Sequence, residues 1–478
     1  VNTQDGLAAL ERPLTQHLKP DDSALSLAEY EETGGYSALR QALKSMTPHD
    51  VTHAIRDSTL AGRGGAGFST GQKWNFVPDD DIVVRRVPPH EMDIVVPEPH
   101  LWGHSESGFS TGDKWSFMPF GDESPSPKYL IANGDEMEPG TFKDRLLLEG
   151  NPHQLIEGMI LAAYAIQADV AYIFLRWAYK KAAARLTQAI VEAYSAGYLG
   201  YDILGSDFSL DLHLHASAGR YICGEETALI NALEGKRATP RAKPPFPPVV
   251  GLWGRPTNVN NIETLSCVPH IVRKGAGWFK SLSHSPAYGG TKLYGVSGRV
   301  NKPGLWELPM GTTAREIICE HAGGMANGYQ LRAFMPGGAS TEFLLPEHLD
   351  VPLDFKAVQE AGSRLGTGTI IVLDDRTCPI GLLHNLEKFF AQESCGWCTP
   401  CRDGLPWTER ILQAIEEGNG VPHDLDRLEL HTKLLQPGNT FCALAPGAME
   451  PLQSALRFFR GDFEQHIQNR QCPYGSKQ

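Results

Sequence analysis

The apolar pattern of the chain changes character along its length, and each change predicts a different kind of element. Residues 1–60 carry apolar residues at helical spacing. There "TPHDVTHAIRDSTL" opens on Thr47 as an N-cap with Pro48 in the first turn, so a helix is expected. From 129 onward, short apolar runs alternate with amphipathic ones: "KYLIAN", a helix near 152–167, "VAYIFL", a helix near 178–198, "DLHLHA" and the helical "GEETALINALEG". That rhythm predicts a layered α/β domain over 61–270. Residues 291–312, "TKLYGVSGRVNKPGLWELPMGT", read as a hairpin. With the helix of "TAREIICEHAGG" and the strand of "LRAFMPGG", they predict a small ubiquitin-like β-grasp domain over 285–365. Residues 379–465 read as a helical bundle with cysteines at its helix junctions. The longest apolar run, 159–175, is interrupted by Gln167 and Asp169, and divides into a helix and a buried strand rather than a membrane span.

Composition narrows the possibilities. A chain of 478 residues is long for one core, and about three domains are expected. A net charge of −13 argues against a general nucleic-acid surface or a basic membrane patch. Any anionic ligand must therefore be held by local donors. The nine cysteines are crowded towards the C-terminal end, which suits metal binding in a reducing compartment better than a secreted disulfide frame. The opening residues lack the basic start, apolar core and cleavage site of a secretory signal, so a cytosolic chain is expected.

The strongest chemical signal is "ESCGWCTPCRDG". Cys395, Cys398 and Cys401 form a CxxCxxC run, and Cys442 follows in "NTFCALAP". Three thiolates on one tight loop and one remote thiolate suit the corners of a [4Fe–4S] cubane. Structural zinc, which more often takes two separated CxxC pairs, is the alternative. Cys223, Cys267, Cys319, Cys378 and Cys472 stand alone and are expected to be inert.

Gly62-Arg63-Gly64-Gly65-Ala66-Gly67 satisfies GxGxxG, but a helix precedes it instead of the strand that a dinucleotide fingerprint needs. No Gly-Lys-Ser/Thr follows, so it is not a P-loop. Bared backbone N–H groups, Arg63 and nearby Lys73 could still wrap a phosphate, while a turn for close packing is the plain alternative. "YLIANGDEMEPGT" sets Asn133, Asp135, Glu136 and Glu138 at the C-terminal end of a buried strand, where ligands of open α/β sheets collect. They suit the hydroxyls of a ribityl or ribose chain, or form a solvated acidic turn. Glu225 and Glu226 fall in a helix's first turn, where the macrodipole favours acids without any function. Asn258, Asn260 and Asn261 could read a heterocycle's edge or cap a helix.

In this order the motifs "GRGGAGFSTG.KW", "NGDEMEPGT.KDR", "GRYICGEETALINALEG", "PTNVNNIETL", "SGRVNKPGLWELP.GTTAREI", "ESCGWCTPCRDG" and "TFCALAPGA" resemble the NADH-binding flavoprotein (51-kDa) subunits of respiratory NADH:quinone oxidoreductase, complex I. Diaphorase subunits of NAD-linked hydrogenases and formate dehydrogenases are similar. A further alternative is an electron-transfer subunit that has lost nucleotide binding. The resemblance implies a multidomain α/β protein with a Rossmann-like FMN domain, a β-grasp domain and a C-terminal helical bundle around the cluster. It implies that Gly62, Arg63, Gly64, Gly65, Ala66, Gly67 and Lys73 hold the FMN phosphate. Asn133, Asp135, Glu136, Tyr221, Gly224, Glu225, Asn260, Asn261 and Thr264 would contact the flavin. Phe68, Phe76, Glu138, Glu226, Lys243 and Phe246 would line the NADH site, with Glu138 and Glu226 as its catalytic carboxylates. Cys395, Cys398, Cys401 and Cys442 would ligate the cluster. The implied partners are a [2Fe–2S] subunit and a large multi-cluster subunit, on the cytoplasmic face of a bacterial inner membrane. In one respect the chain departs from the family pattern. Residues 108–119 repeat 67–78 at nine of twelve positions, with an insertion around 79–119 between the glycine loop and the first strand. Either Lys73 and Phe76 or Lys114 and Phe117 could serve the site, and contiguity with the glycines favours the first copy.

Overall fold

Two four-stranded sheets and a C-terminal group of helices organise the computed structural model, which describes residues 11–77 and 127–475. The second copy of the repeat, with Lys114 and Phe117, lies outside the described residues.

The first sheet is wholly parallel. Its strands are β1 (Tyr129–Gly134), β2 (Val170–Arg176), β3 (Asp211–Ser217) and β4 (Thr257–Asn261), in the order β3-β2-β1-β4. Such a sheet must be covered on both faces, and this one is. On one face Leu130, Ala132 and Ile173 pack with the helices Pro152–Ile166 and Ile262–Lys274. On the other, Ile131, Phe174 and Val259 share a core with Leu383, Phe390, Leu405 and Leu452 of the C-terminal helices. The long apolar run divides as expected, into Pro152–Ile166 and β2, with Gln167 in the left-handed conformation that ends the helix. Gly158 lets that helix approach its neighbour: a Cβ there would lie 2.0 Å from the Leu265 carbonyl oxygen. Buried Glu157 on the same helix accepts hydrogen bonds from Tyr30, Tyr36 and Leu39, tying down the N-terminal helices. Thr47 and Pro48 begin the helix Pro48–Asp57 through a capping box with Asp50.

The second sheet comprises β5 (Thr291–Ser297), β6 (Gly304–Pro309), β7 (Leu331–Met335) and β8 (Thr369–Asp374), in the order β6-β5-β8-β7. The hairpin β5–β6 is antiparallel, with Thr291 opposite Pro309, while β5–β8 is parallel. β8 is not expected from the pattern and begins beyond residue 365. Its run "TIIVLD" is largely buried at the sheet's centre, so it lacks the alternation of a half-exposed strand. Beyond it run five helices: Pro379–Glu393, Thr399–Glu416, His423–Leu434, Leu444–Phe458 and Arg460–Asn469. No helix among the described residues is long and apolar enough to cross a membrane.

Candidate functional site

The chain order of the first sheet reverses between β2 and β4, on either side of β1. Open parallel sheets take ligands outside the C-terminal strand ends at such a switch point. There Asn133 of β1 stands opposite Asn261 of β4, and β1 runs on into Asp135, Glu136 and Glu138. The glycine loop is drawn over this crevice. The Arg63 N–H donates to Thr264 Oγ1 at 2.8 Å, and a Cβ on Gly64 would sit 3.2 Å from that of Asn261. The loop's stem is closed by the Gly62 N–H donating to the Phe68 carbonyl at 2.7 Å. Gly65 and Gly67 have φ of +113° and +65°, and a Cβ on Gly67 would strike Phe355 at 2.5 Å. Among the described residues, the N–H groups of Gly64, Gly65, Ala66 and Gly67 have no acceptor. Successive bare N–H groups make an anion cradle, and the residues fit a phosphate.

The Arg63 side chain does not take part in that cradle as expected. It is fully buried beneath the loop, where Nη2 donates to the carbonyls of Gly289 (2.8 Å) and Thr291 (3.0 Å) and Nη1 approaches Met310 Sδ. It joins the loop to the approach of β5. Near it are Lys143, 2.7 Å from Asp144 and 2.9 Å from Glu263, and Lys292, 3.4 Å from Glu263. Burial opposes ionisation of Glu263, but Lys143, Lys292 and Arg63 outweigh it and hold the carboxyl down at about 2. Arg63, Lys143 and Lys292 are thus interleaved with Asp144 and Glu263 in one buried network below the loop. Lys143 and Asp144 also fix the Asn261 amide, at 3.3 and 2.7 Å. Sequence reasoning missed this set as a group, because its members come from four separate stretches of the chain that only the fold brings together.

Glu136 is a second correction. Its carboxylate turns inward, accepting from the N–H groups of Lys143 and Asp144 (both 2.9 Å) and of Arg145, and from the Tyr179 hydroxyl. It therefore caps the helix Lys143–Gly150 and has no side-chain oxygen to spare for a flavin. Asp135 is different. Ser217 donates to one oxygen at 2.9 Å, whereas Oδ1 is buried with no partner among the described residues. Burial raises its pKa to about 6. A ligand hydroxyl donating to Oδ1 would satisfy it. Asn133 reaches the carbonyls of Cys223 and Gly224, while Asn260 and Asn258 bond each other.

Across the crevice, Glu225 caps the helix Glu226–Leu233 by accepting from the N–H groups of Thr227 and Ala228. Glu225 is thus the N-cap, one residue ahead of the first turn expected for it, and Lys243 also donates to it at 2.9 Å. Glu226 is gripped by Lys73 at 2.9 Å and Lys243 at 3.0 Å. Burial works against its charge, but the two lysines prevail and bring its pKa to about 2. Glu138 accepts from Tyr221 Oη at 2.5 Å and the Ser340 N–H at 2.7 Å, and burial raises its pKa. A Cβ on Gly338 would lie 2.6 Å from Glu138, so that loop must pass without a side chain. Phe68 and Phe76 stand 6.1 Å apart at the mouth of the glycine loop, and Phe246 follows Lys243 in the proline-rich turn.

The cluster cysteines converge as the spacing implies. Cys398 precedes the helix Thr399–Glu416, Cys401 lies in its first turn, and Cys442 precedes the helix Leu444–Phe458. Burial raises Cys401 to about 11 and Cys442 to about 12, and charge on the neighbouring sulfurs adds to both. Three thiols from one loop and a fourth from a remote one suit the corners of a cubane. A separate, compact set of ligand atoms, all within 4.8 Å of one another, also occurs among the described residues. The cluster loop abuts the nucleotide side: Arg237 donates to the Cys395 carbonyl at 2.8 Å, the Tyr221 N–H donates to Glu393, and Tyr221 packs edge-on against Phe389 and Phe390. Of the cysteines expected to stand alone, Cys223 and Cys267 are simply buried and Cys319 is exposed. Cys378 and Cys472 are not alone, since they share that compact set with Glu416 and His466.

A phosphate cradle at a sheet's switch point, with four thiols beside it, defines a class of flavin- and cluster-bearing proteins, and the comparisons agree. Residues 96–270 match the Nuo51 FMN-binding domain, 293–344 the SLBB domain, and 381–466 the NADH-ubiquinone oxidoreductase-F iron-sulfur binding region. The first of these matches takes in the second repeat copy and leaves out the glycine loop. The chain is 52% identical to the F subunit of NADH-quinone oxidoreductase from Buchnera aphidicola, over 97% of this chain and 96% of the relative. It is 50% identical to that of Escherichia coli, over 95% and 93%. Among solved structures, an NAD+-reducing [NiFe]-hydrogenase in the H2-reduced state superposes with a TM-score of 0.73 at 32% identity, covering 95% of this chain and 68% of that one. The chain belongs to the family of NADH-quinone oxidoreductase F subunits.

Proposed function

We propose that this chain is the NADH-oxidising flavoprotein subunit of an NADH:quinone oxidoreductase, with FMN above the β1/β4 crevice and a [4Fe–4S] cluster on Cys395, Cys398, Cys401 and Cys442. The carrying observation is the cradle of unpartnered N–H groups from Gly64 to Gly67, poised over the switch point. When bound, FMN takes a hydride from NADH and the cluster carries single electrons onward. The protein's own part is positioning. The glycine loop, fixed from beneath by Arg63, holds the phosphate, and Asp135 Oδ1 accepts from the ribityl chain. Lys73 and Lys243 keep Glu226 ionised at the nucleotide's edge, and Glu138 fixes the loop at Gly338–Ser340. The Arg237 and Tyr221 contacts with the cluster loop keep flavin and cluster side by side.

The strand order β3-β2-β1-β4 supports a Rossmann-like reading of the first sheet, and the second sheet supports a β-grasp reading that runs on to Asp374. The domain division 1–60, 61–270, 285–365 and 379–465 is kept as a proposal, with that extension. The proposed partners are a [2Fe–2S] subunit and a large multi-cluster subunit, and the proposed position is peripheral, on the cytoplasmic face of the inner membrane; the naming of the relatives as subunits of NADH-quinone oxidoreductase supports a multi-subunit assembly. Identity of about 50% to quinone-linked subunits, against 32% to the hydrogenase, favours this over a diaphorase role. The test is the absorbance spectrum of anaerobically purified protein before and after NADH. A flavin band bleached by NADH is expected; a colourless protein refutes the reading.

A further inference from the structure

Cys378, Glu416, His466 and Cys472 come from four separate segments. They are the residue ahead of Pro379–Glu393, the last residue of Thr399–Glu416, the helix Arg460–Asn469 and the tail beyond it. Their ligand atoms all lie within 4.8 Å of one another. Cys378 Sγ is 3.1 Å from Glu416 Oε2 and 3.2 Å from His466 Nε2, and those two are 3.3 Å apart. None of the four belongs to the cubane set. We propose that they form a second metal site, which binds one zinc ion through two thiolates, an imidazole and a carboxylate.

Three observations argue for a metal rather than a chance hydrogen-bonded cluster. The first is the histidine, which is fully buried with Nδ1 2.6 Å from the Asp462 carbonyl. A carbonyl oxygen can only accept, so Nδ1 carries a proton and Nε2 is the nitrogen that faces the other three ligands, free to take a metal. That outer-shell bond is the one that orients metal-bound histidines. The second is Cys378, which occupies the N-cap of its helix and whose sulfur accepts from the Gly381 N–H at 3.3 Å. Helix N-termini favour thiolate over thiol. The third is ligand type. Two sulfurs with one nitrogen and one oxygen are wrong for magnesium or calcium and suit zinc. Tetrahedral zinc with bonds of about 2.0–2.3 Å has edges of about 3.3–3.8 Å, so Cys378, Glu416 and His466 already stand within a few tenths of an ångström of it, and Cys472 lies within 4.8 Å of each.

The site's position gives it a structural task. Tyr474 donates to Asp462, whose other oxygen is paired with Arg332, and a Cβ on Gly418 would lie 2.1 Å from the Arg470 carbonyl oxygen. The tail therefore lies against the end of the Glu416 helix, and zinc would staple it to three helices. Binding Zn2+ displaces two thiol protons and leaves the site with one net negative charge. No electron is transferred.

The experiment uses the full chain, purified anaerobically with its iron cluster in place, stripped of loosely bound metal and titrated with Zn2+ against a chromophoric chelator. One zinc per chain is expected beyond the iron, with iron content and NADH–ferricyanide activity unchanged. Co2+ in its place should give intense sulfur-to-cobalt charge-transfer bands, a readout that needs no variant. Cys472→Ser and His466→Gln should weaken zinc by more than the roughly 10–100-fold that a lost outer-shell partner costs, and retain iron. Cys398→Ala should do the reverse. The proposal is overturned by no zinc uptake, by a cobalt spectrum without sulfur bands, by zinc affinity undiminished in Cys472→Ser, or by a Cys378–Cys472 disulfide in the anaerobic protein.

Discussion

Replacing Lys73 with Ala tests both the electrostatics of the site and the choice between the two repeat copies. Glu226 is moved from its ordinary 4.5 to about 2, although burial alone would have raised it. A displacement of about 2.5 pKa units corresponds to about 3.4 kcal/mol in favour of the ionised form. Lys73 and Lys243 stand at nearly equal distances, 2.9 and 3.0 Å, so each supplies a comparable share. Loss of Lys73 should cost between about 1 and 2 kcal/mol once partial solvent screening is allowed for. The sign follows from linkage: a depressed folded-state pKa stabilises fully above about 4.5, and that stabilisation disappears as pH falls towards 2. The deficit should therefore be complete at pH 7 and shrink in acid. Urea unfolding of the wild type, Lys73→Ala, Glu226→Gln and the double variant isolates the pair, and a coupling of about 1–2 kcal/mol is expected. Lys73→Ala should also lower kcat/KM for NADH with ferricyanide, whereas Lys114→Ala should change neither quantity. A coupling near zero, or a deficit carried by Lys114→Ala instead, refutes the assignment of Lys73 to the site.

Gly67→Ala places a Cβ 2.5 Å from Phe355 at a φ of +65°, so flavin content after purification should fall sharply, measured by absorbance against protein. Cys398→Ala should lose about four iron atoms per chain, while exposed Cys319→Ala keeps them; equal iron in both would count against the cubane ligands. Glu226, held ionised by its lysines, should repel an added 2′-phosphate, so kcat/KM should be lower for NADPH than for NADH and Glu226→Gln should narrow the gap. Equal values for the two cofactors in the wild type would sink that argument.

What was legible in the sequence is what depends on local pattern. The helix at Thr47–Pro48, the strands at 129, 170 and 211, the hairpin at 291 and the convergence of four cysteines all follow from spacing over a few residues. β8 escapes such a reading because a strand buried at a sheet's centre has no alternation to read. Arg63 and Glu136 mislead for a related reason. Each lies in a motif that suggests a ligand, but partners more than two hundred residues away claim the guanidinium, and a helix N-terminus claims the carboxylate.

Those two corrections change how the site is understood to work. A cation in direct contact with a phosphate would have to be presented afresh whenever the ligand left, and its burial beneath the loop removes that cost. Arg63 instead commits Nη2 to the carbonyls that fix the loop to β5, and Glu136 commits its acceptors to the helix that carries Lys143 and Asp144. Those two residues set the Asn261 amide, and Asn261 is the wall against which Gly64 rests. The bare N–H groups are therefore held in place from below, by charges that never need to touch the ligand. Affinity for an anion here depends on the rigidity of that support as much as on the glycines themselves.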